Sequence, residues 1–260
     1  MLARVLPGLI FYILSQRFFS YLCATKNDFM ALILCIETSA VTCSVALSEN
    51  GVAIARLRED VPNSHSARLT VLIEQLLKNQ NLQINDLDAV AVSSGPGSYT
   101  GLRIGVSVAK GLCFGASKPL ISVPTLEILA AMVLHHQEFS DDTLICPMLD
   151  ARRMEVYSAL YNSRLERIRN TEAEIITEES YREQLDQSRI IFAGNGAVKC
   201  RGVIRHPNAI FPDDEVMPLA SEMASLAHQR FLDKKFESVA YFEPFYLKDF
   251  LVTVPKRKVF

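Results

Sequence analysis

Apolar and polar positions fall into a legible order from Met30 onward. Ala31 to Glu37 is an apolar run, Cys43 to Leu47 a second and Val52 to Leu57 a third. Asn50-Gly51 between the last two is a strong short hairpin signal. Behind the capping residues Ser64-His65-Ser66, apolar side chains recur at Leu69, Leu72, Ile73, Leu76 and Leu77. That i, i+3, i+4, i+7, i+8 stripe predicts an amphipathic helix. A short alternating stretch, Leu87 to Val92, then leads into Ser93–Gly105 and a helical run to about Phe114. Pro119 to Val123 reads as a strand and Pro124 to His135 as a helix.

Three antiparallel strands followed by alternating helix and strand describe half of a ribonuclease H-like α/β domain. The second half repeats the theme more weakly. Thr143 to Met148 and Met154 to Leu160 read as strands joined by the turn Asp150-Ala151-Arg152-Arg153. Ile190 to Ala193 is a short strand ending in Gly194-Asn195-Gly196, and helical signal returns from Pro218 to Phe231. The charged stretch Arg164 to Gln187 reads as solvated strand and helix surface. The expected organisation is an extension over 1–29, a first domain over 30–134 and a smaller second domain over 135–260. The C-terminal helix and tail of the second are expected to pack back on the first.

Composition narrows the classes. A chain of 260 residues with net charge −2 can hold two domains of about 100–120 residues and is not a broadly basic nucleic-acid coat. Lys256, Arg257 and Lys258 form a local basic patch. The six cysteines show no C-x-x-C spacing and lie mostly in apolar runs, which reads as buried thiols in a reducing, cytoplasmic compartment. Val5 to Leu14 is an apolar run too short to span a bilayer, and Ser20-Tyr21-Leu22-Cys23 is too bulky for a signal-peptide cleavage site. Met30 is therefore read as the start of the functional protein, with no membrane association.

The glycine-rich stretch after Leu87–Val92 carries the chemistry to be decided. Gly95 and Gly97 around Pro96 force a tight turn, and Ser98 is placed to cap the following helix. Gly97, Gly101, Gly105 and Ala109 then recur every four residues and leave one helix face nearly bare. The spacing is neither a Rossmann fingerprint, a Walker A loop nor a nucleophile elbow. Two uses remain open, a turn that meets phosphate and a helix face that meets a partner.

Five ordered blocks carry a resemblance: IETSAVTCSVAL from Ile36, HSARL from His65, GPGSYTGLRIG from Gly95, DARRMEVYSALY from Asp150 and EPFYLKDF from Glu243. Together they resemble the TsaB (YeaZ) family, paralogues of the TsaD family. The resemblance implies two ribonuclease H-like domains of the fold shared by actin, hexokinase and Hsp70. It implies a non-catalytic subunit that TsaD requires to form N6-threonylcarbamoyladenosine on tRNA. TsaE is then a further member of the complex, tRNA is met indirectly, and a homodimer is an alternative pairing. The paralogue's H-x-x-x-H metal pair falls here on Thr125 and Leu129, which cannot ligate, so no metal and no catalytic residue is expected. Glu37 stands where kinases and ATPases of this fold place a phosphate-site Asp. An independent kinase or ATPase, with Asp150 as its base, is the alternative function. The partner surface is expected on His65, Leu69, Leu72, Tyr99, Gly101, Leu102, Gly105, Val106 and Ala109. A vestigial cleft for adenine nucleotide, at the partner interface, is expected on Thr38, Ser39, Gly95, Gly97, Ser98, Gly194 and Gly196.

Overall fold

The computed structural model describes residues 31–61, 65–136, 139–213 and 216–247. The N-terminal extension and the basic patch at Lys256–Lys258 lie outside the described residues. Strands β1 (Leu32–Glu37), β2 (Cys43–Glu49), β3 (Val52–Glu59), β4 (Ala89–Ser93) and β5 (Leu120–Val123) form one mixed sheet in the order β3-β2-β1-β4-β5. β1, β2 and β3 are antiparallel neighbours, whereas β4 and β5 run parallel to β1. Asn50 and Gly51 close the β2–β3 hairpin with φ of 52° and 82°, the left-handed backbone that such a two-residue turn requires.

The second sheet joins β6 (Leu144–Asp150), β7 (Glu155–Tyr161), β8 (Arg167–Ile175), β9 (Ile190–Ala193) and β10 (Ala209–Ile210) in the order β10-β9-β6-β7-β8. Read from β8, this repeats the order of the first sheet, so the ribonuclease H-like arrangement occurs twice. The charged stretch after Arg164 holds strand β8 and helix α4 (Arg182–Gln187).

Helices α1 (His65–Asn79) and α2 (Tyr99–Ala116) cover one face of the first sheet. Leu69, Leu72, Leu76 and Val106 there meet Leu34, Ile36, Val45 and Val90 in one buried cluster. Helix α3 (Thr125–His136) lies on the opposite face. Its Ile128 and Ala131 pack with Ile33, Cys35 and Ala91, while Leu126, Leu129 and Val133 pack with Ile145 and Leu149 of the second sheet. Burial on two sides explains why its sequence is apolar nearly all round. Helix α5 (Asn195–Cys200) follows the second glycine turn, and α6 (Ala224–Leu232) packs under β1 and β2.

Beyond α6 the chain returns across the first sheet. Glu237 pairs with Leu120, and Lys110 Nζ donates to the carbonyls of Ala240 and Phe242 at 3.1 and 3.0 Å. The Phe245 amide donates to Ser94 O at 2.7 Å, and the Tyr246 ring lies 4.8 Å from that of Tyr99. Among the described residues no helix is long and apolar enough to cross a membrane.

Candidate functional site: the glycine turn and the groove beside it

β4 ends at Ser93, and the chain turns through Gly95 at φ 102° into α2. Ser98 caps the helix, its Oγ accepting from the Gly101 amide at 3.2 Å. What faces the turn is the chain's own exit from β1. The Ser98 amide donates to Ser39 O at 2.7 Å. A Cβ on Gly97 would stand 2.5 Å from Ser39 O, one on Gly101 2.1 Å from Thr38 O, and one on Gly105 2.2 Å from Thr38 Oγ1. Each glycine is thus required by Thr38-Ser39 of the same chain.

The small-residue stripe therefore packs on the chain's own segment leaving β1. A flat sheet would tolerate larger side chains, but the segment leaving β1 presses closer to α2 than a sheet does. Gly101, Leu102, Gly105, Val106 and Ala109 are all buried in the protomer, as are His65, Leu69 and Leu72 on α1. Of the expected partner residues only Tyr99 keeps appreciable surface, and it contacts Tyr246 and Arg103.

The expected cleft residues are brought together in part, as packing. Thr38, Ser39, Gly95, Gly97 and Ser98 converge, with the Ser39 and Ser98 amides engaged within the chain. The Ser39 amide donates to Glu37 Oε1 at 2.6 Å, the Ser94 amide to Val123 O at 2.9 Å and the Thr125 amide to Gly95 O at 2.9 Å. Gly194 and Gly196 sit elsewhere, against β6. A Cβ there would meet Met148 O at 2.3 Å and the Leu149 carbonyl carbon at 2.7 Å, so close backbone approach accounts for both. Asp150 is a turn anchor. It accepts from Lys199 Nζ and from the Arg152 amide, while Lys199 also holds the carbonyls of Arg153 and Glu155. Arg152 and Arg153 are kept at φ of 73° and 53° by that clamp.

Glu37 is fully buried, and burial pushes its carboxyl pKa up. Hydrogen bonding from Ser39, Ser93 and the Thr38 backbone opposes that rise. Thr125 and Leu129, at the two positions of the paralogue's metal pair, are likewise fully buried.

A feature that the glycine stripe obscured lies on the outer side of the two helices. α1, α2 and the segment after α1 enclose a groove of about 570 Å³, floored by Ile73, Leu77, Ile84, Val108 and Leu112, with Glu74 and Lys78 at its rim. Ile104, Val108 and Leu112 recur every four residues, one position before Gly105 and Ala109, and all three are half-buried. That second apolar row was the available sequence signal for an outward face on α2.

The same two helices fall within the match to known proteins. A family model described as "TsaD: tRNA N6-adenosine threonylcarbamoyltransferase" matches residues 59–199. The tRNA threonylcarbamoyladenosine biosynthesis protein TsaB of Escherichia coli strain K12 is 32% identical over 223 residues, 84% of this chain and 94% of that protein. This chain belongs to the TsaB family. A second TsaB, from Bacillus subtilis strain 168, is 40% identical over 129 residues, which cover 50% of this chain and 54% of the relative. Among solved structures, a Pseudomonas aeruginosa protein described as similar to peptidase YeaZ superposes with a TM-score of 0.72 at 28% identity, covering 84% of this chain and all of that one. TsaB membership and the doubled sheet order agree on the fold.

Proposed function

We propose that this chain is the non-catalytic partner subunit of a TsaD-type tRNA N6-adenosine threonylcarbamoyltransferase, and that TsaD docks on the groove between α1 and α2. The observation that carries the reading is the groove itself. It is an apolar-floored surface made by two helices that lie inside the stretch matched by the TsaD family model. A paralogue with the same two helices would offer a similar face, and two such faces pair about an approximate two-fold axis as a four-helix contact. A homodimer on the same face is the competing state that TsaD displaces.

Chemistry is then left to the partner. The two positions that hold the metal in the paralogue are here a threonine and a leucine within the core, and Asp150 is engaged by Lys199. TsaE joins the complex, tRNA is met through TsaD, and the site of action is the cytoplasm. The test mixes the purified chain with host TsaD, TsaE and tRNA. Stable association and threonylcarbamoylation only when TsaD is present are expected. Transfer by the chain without TsaD would overturn the non-catalytic role, and absence of association would overturn the partnership.

A further inference from the structure

A cavity of about 270 Å³ opens between the carboxyl ends of β4 and β5 and the edge strand β8. Ser94 and Gly95 follow β4, Pro124 follows β5, and Arg167, Asn170 and Thr171 of β8 line the other side. The crevice outside the carboxyl ends of parallel strands is where open α/β sheets take ligands. Of the residues expected to form a nucleotide cleft, only Gly95 touches this cavity.

A regular strand would not bring the three β8 residues together, because Arg167 and Asn170, three positions apart, would point to opposite faces. β8 is irregular against β7. Ser158 and Leu160 are opposite Glu172 and Arg169, and Leu160 and Tyr161 are opposite Arg169 and Arg167. β8 therefore carries one extra residue at Ile168 and another at Asn170-Thr171. Such bulges re-aim side chains, and they recur at sheet edges and beside active sites. Phe245 adds a further wall. Its amide donates to Ser94 O at 2.7 Å, and a Cβ on Gly95 would stand 2.7 Å from its carbonyl oxygen, so the glycine makes room for it.

The polar groups of the cavity are uncommitted. Among the described residues no carboxylate pairs with the Arg167 guanidinium, and the side chains of Asn170 and Thr171 make no hydrogen bond within the protein. Ser94 is only 8% exposed, yet its hydroxyl has no partner either. One positive charge with no acidic residue on the lining selects an anion. A phosphate monoester carries close to two charges at neutral pH and would keep one of them unmatched. A carboxylate carries one and fits the planar fork of a guanidinium. The hydroxyls and the amide both donate and accept, so they also suit a hydroxyl or amide beside that carboxylate. Pro124 and the Phe245 ring meet its carbon atoms. The volume lies just under the roughly 300 Å³ at which pockets for drug-sized ligands begin, which keeps the ligand small.

We propose that this cavity binds a small carboxylate bearing a neighbouring amide or hydroxyl, with Arg167 holding the carboxylate and Ser94, Asn170 and Thr171 the polar group beside it. This inference is independent of the partnership with TsaD.

The test is titration of the isotope-labelled full chain with N-acetylglycine at neutral pH, followed through backbone amide resonances. Saturable shifts are expected at Gly95, Asn170 and Thr171 with a dissociation constant of about 1 mM, the strength open to a ligand of so few atoms. The uncharged methyl ester of the same compound, and NaCl at equal ionic strength, should leave those resonances in place. Arg167→Met is expected to weaken binding at least about tenfold. Should that variant disturb β8, Asn170→Asp keeps the arginine and sets a like charge against the ligand, with a loss of about the same size expected. Equal shifts from acid and ester, unchanged binding in both variants, or no shift at about ten times the expected constant would overturn the site. Tighter binding of inorganic phosphate than of N-acetylglycine would overturn the assignment to a carboxylate.

Discussion

Gly105 on α2 and Thr38 beyond β1 approach so closely that a methyl group does not fit between them, since a Cβ on Gly105 would stand 2.2 Å from Thr38 Oγ1. Gly105→Ala is expected to destabilise the chain, and Gly105→Leu to do so by about 1–3 kcal/mol, the usual cost of overpacking. Because the clash is with one hydroxyl, Thr38→Ala should recover part of the loss in Gly105→Ala, a coupling that a double-mutant cycle of melting temperatures reads directly. Strict additivity of the two substitutions would place the constraint on Gly105 elsewhere.

The groove makes the opposite demand on Val108 and Leu112, which are half-buried rather than core. Val108→Asp or Leu112→Asp is expected to weaken association with TsaD by at least ~30-fold, the effect of losing an apolar anchor worth about 2 kcal/mol. Monomer stability should fall less than in Gly105→Leu. Titration calorimetry alongside melting curves separates the two effects, and undiminished affinity in a folded variant would move the interface off this face.

The first sheet was legible because its strands alternate and its helices keep an apolar stripe. The glycine spacing was legible too, but not its purpose. A bare helix face says that some backbone comes close, and sequence does not distinguish a partner's backbone from Thr38-Ser39 of the same chain. β8 and α4 were legible as solvated strand and helix surface but not in their bounds, because β8 is an edge strand with polar residues on both sides, from Arg167 to Glu174. Helix α5 was hidden by its glycines, whose turn propensity outweighs six residues of helix.

The cysteines give a pH dependence with a definite sign. Burial pushes Cys35 and Cys146 from about 9 to about 12, and Cys43, Cys113 and Cys200 to about 11. Above pH 9 the unfolded chain releases thiol protons that the folded chain keeps, so the folded state binds more protons and loses stability as pH rises. Denaturant midpoints are expected to decline from about pH 9 upward, less steeply in Cys35→Ala. At pH 8.5 native Cys35 should alkylate about a thousandfold more slowly than in the unfolded chain, as a three-unit shift dictates. Rapid labelling of the folded protein at Cys35 would contradict its burial.

The second sheet depends on a polar network that joins β8 to the segment before α4. Arg169 Nη2 donates to Glu174 Oε1 at 2.7 Å and to Tyr181 OH at 2.6 Å, and its guanidinium carbon lies 4.6 Å from the centre of the Tyr181 ring. Tyr181 OH in turn donates to Glu174 Oε1, with Ser158 Oγ of β7 2.9 Å away, and burial drives the phenol's pKa up, so it stays a donor across the working range. Arg169→Met keeps the length of the side chain and leaves Glu174 and Tyr181 without their shared partner, at a cost of about 1–3 kcal/mol. The loss should be local. Amide exchange is expected to accelerate in β7, β8 and the segment to α4, while α1 and α2 keep their protection and TsaD affinity stays within about twofold of the parent. A uniform acceleration across both sheets would mean that the network stabilises the whole chain, and a fall in TsaD affinity would extend the docking surface to the second sheet.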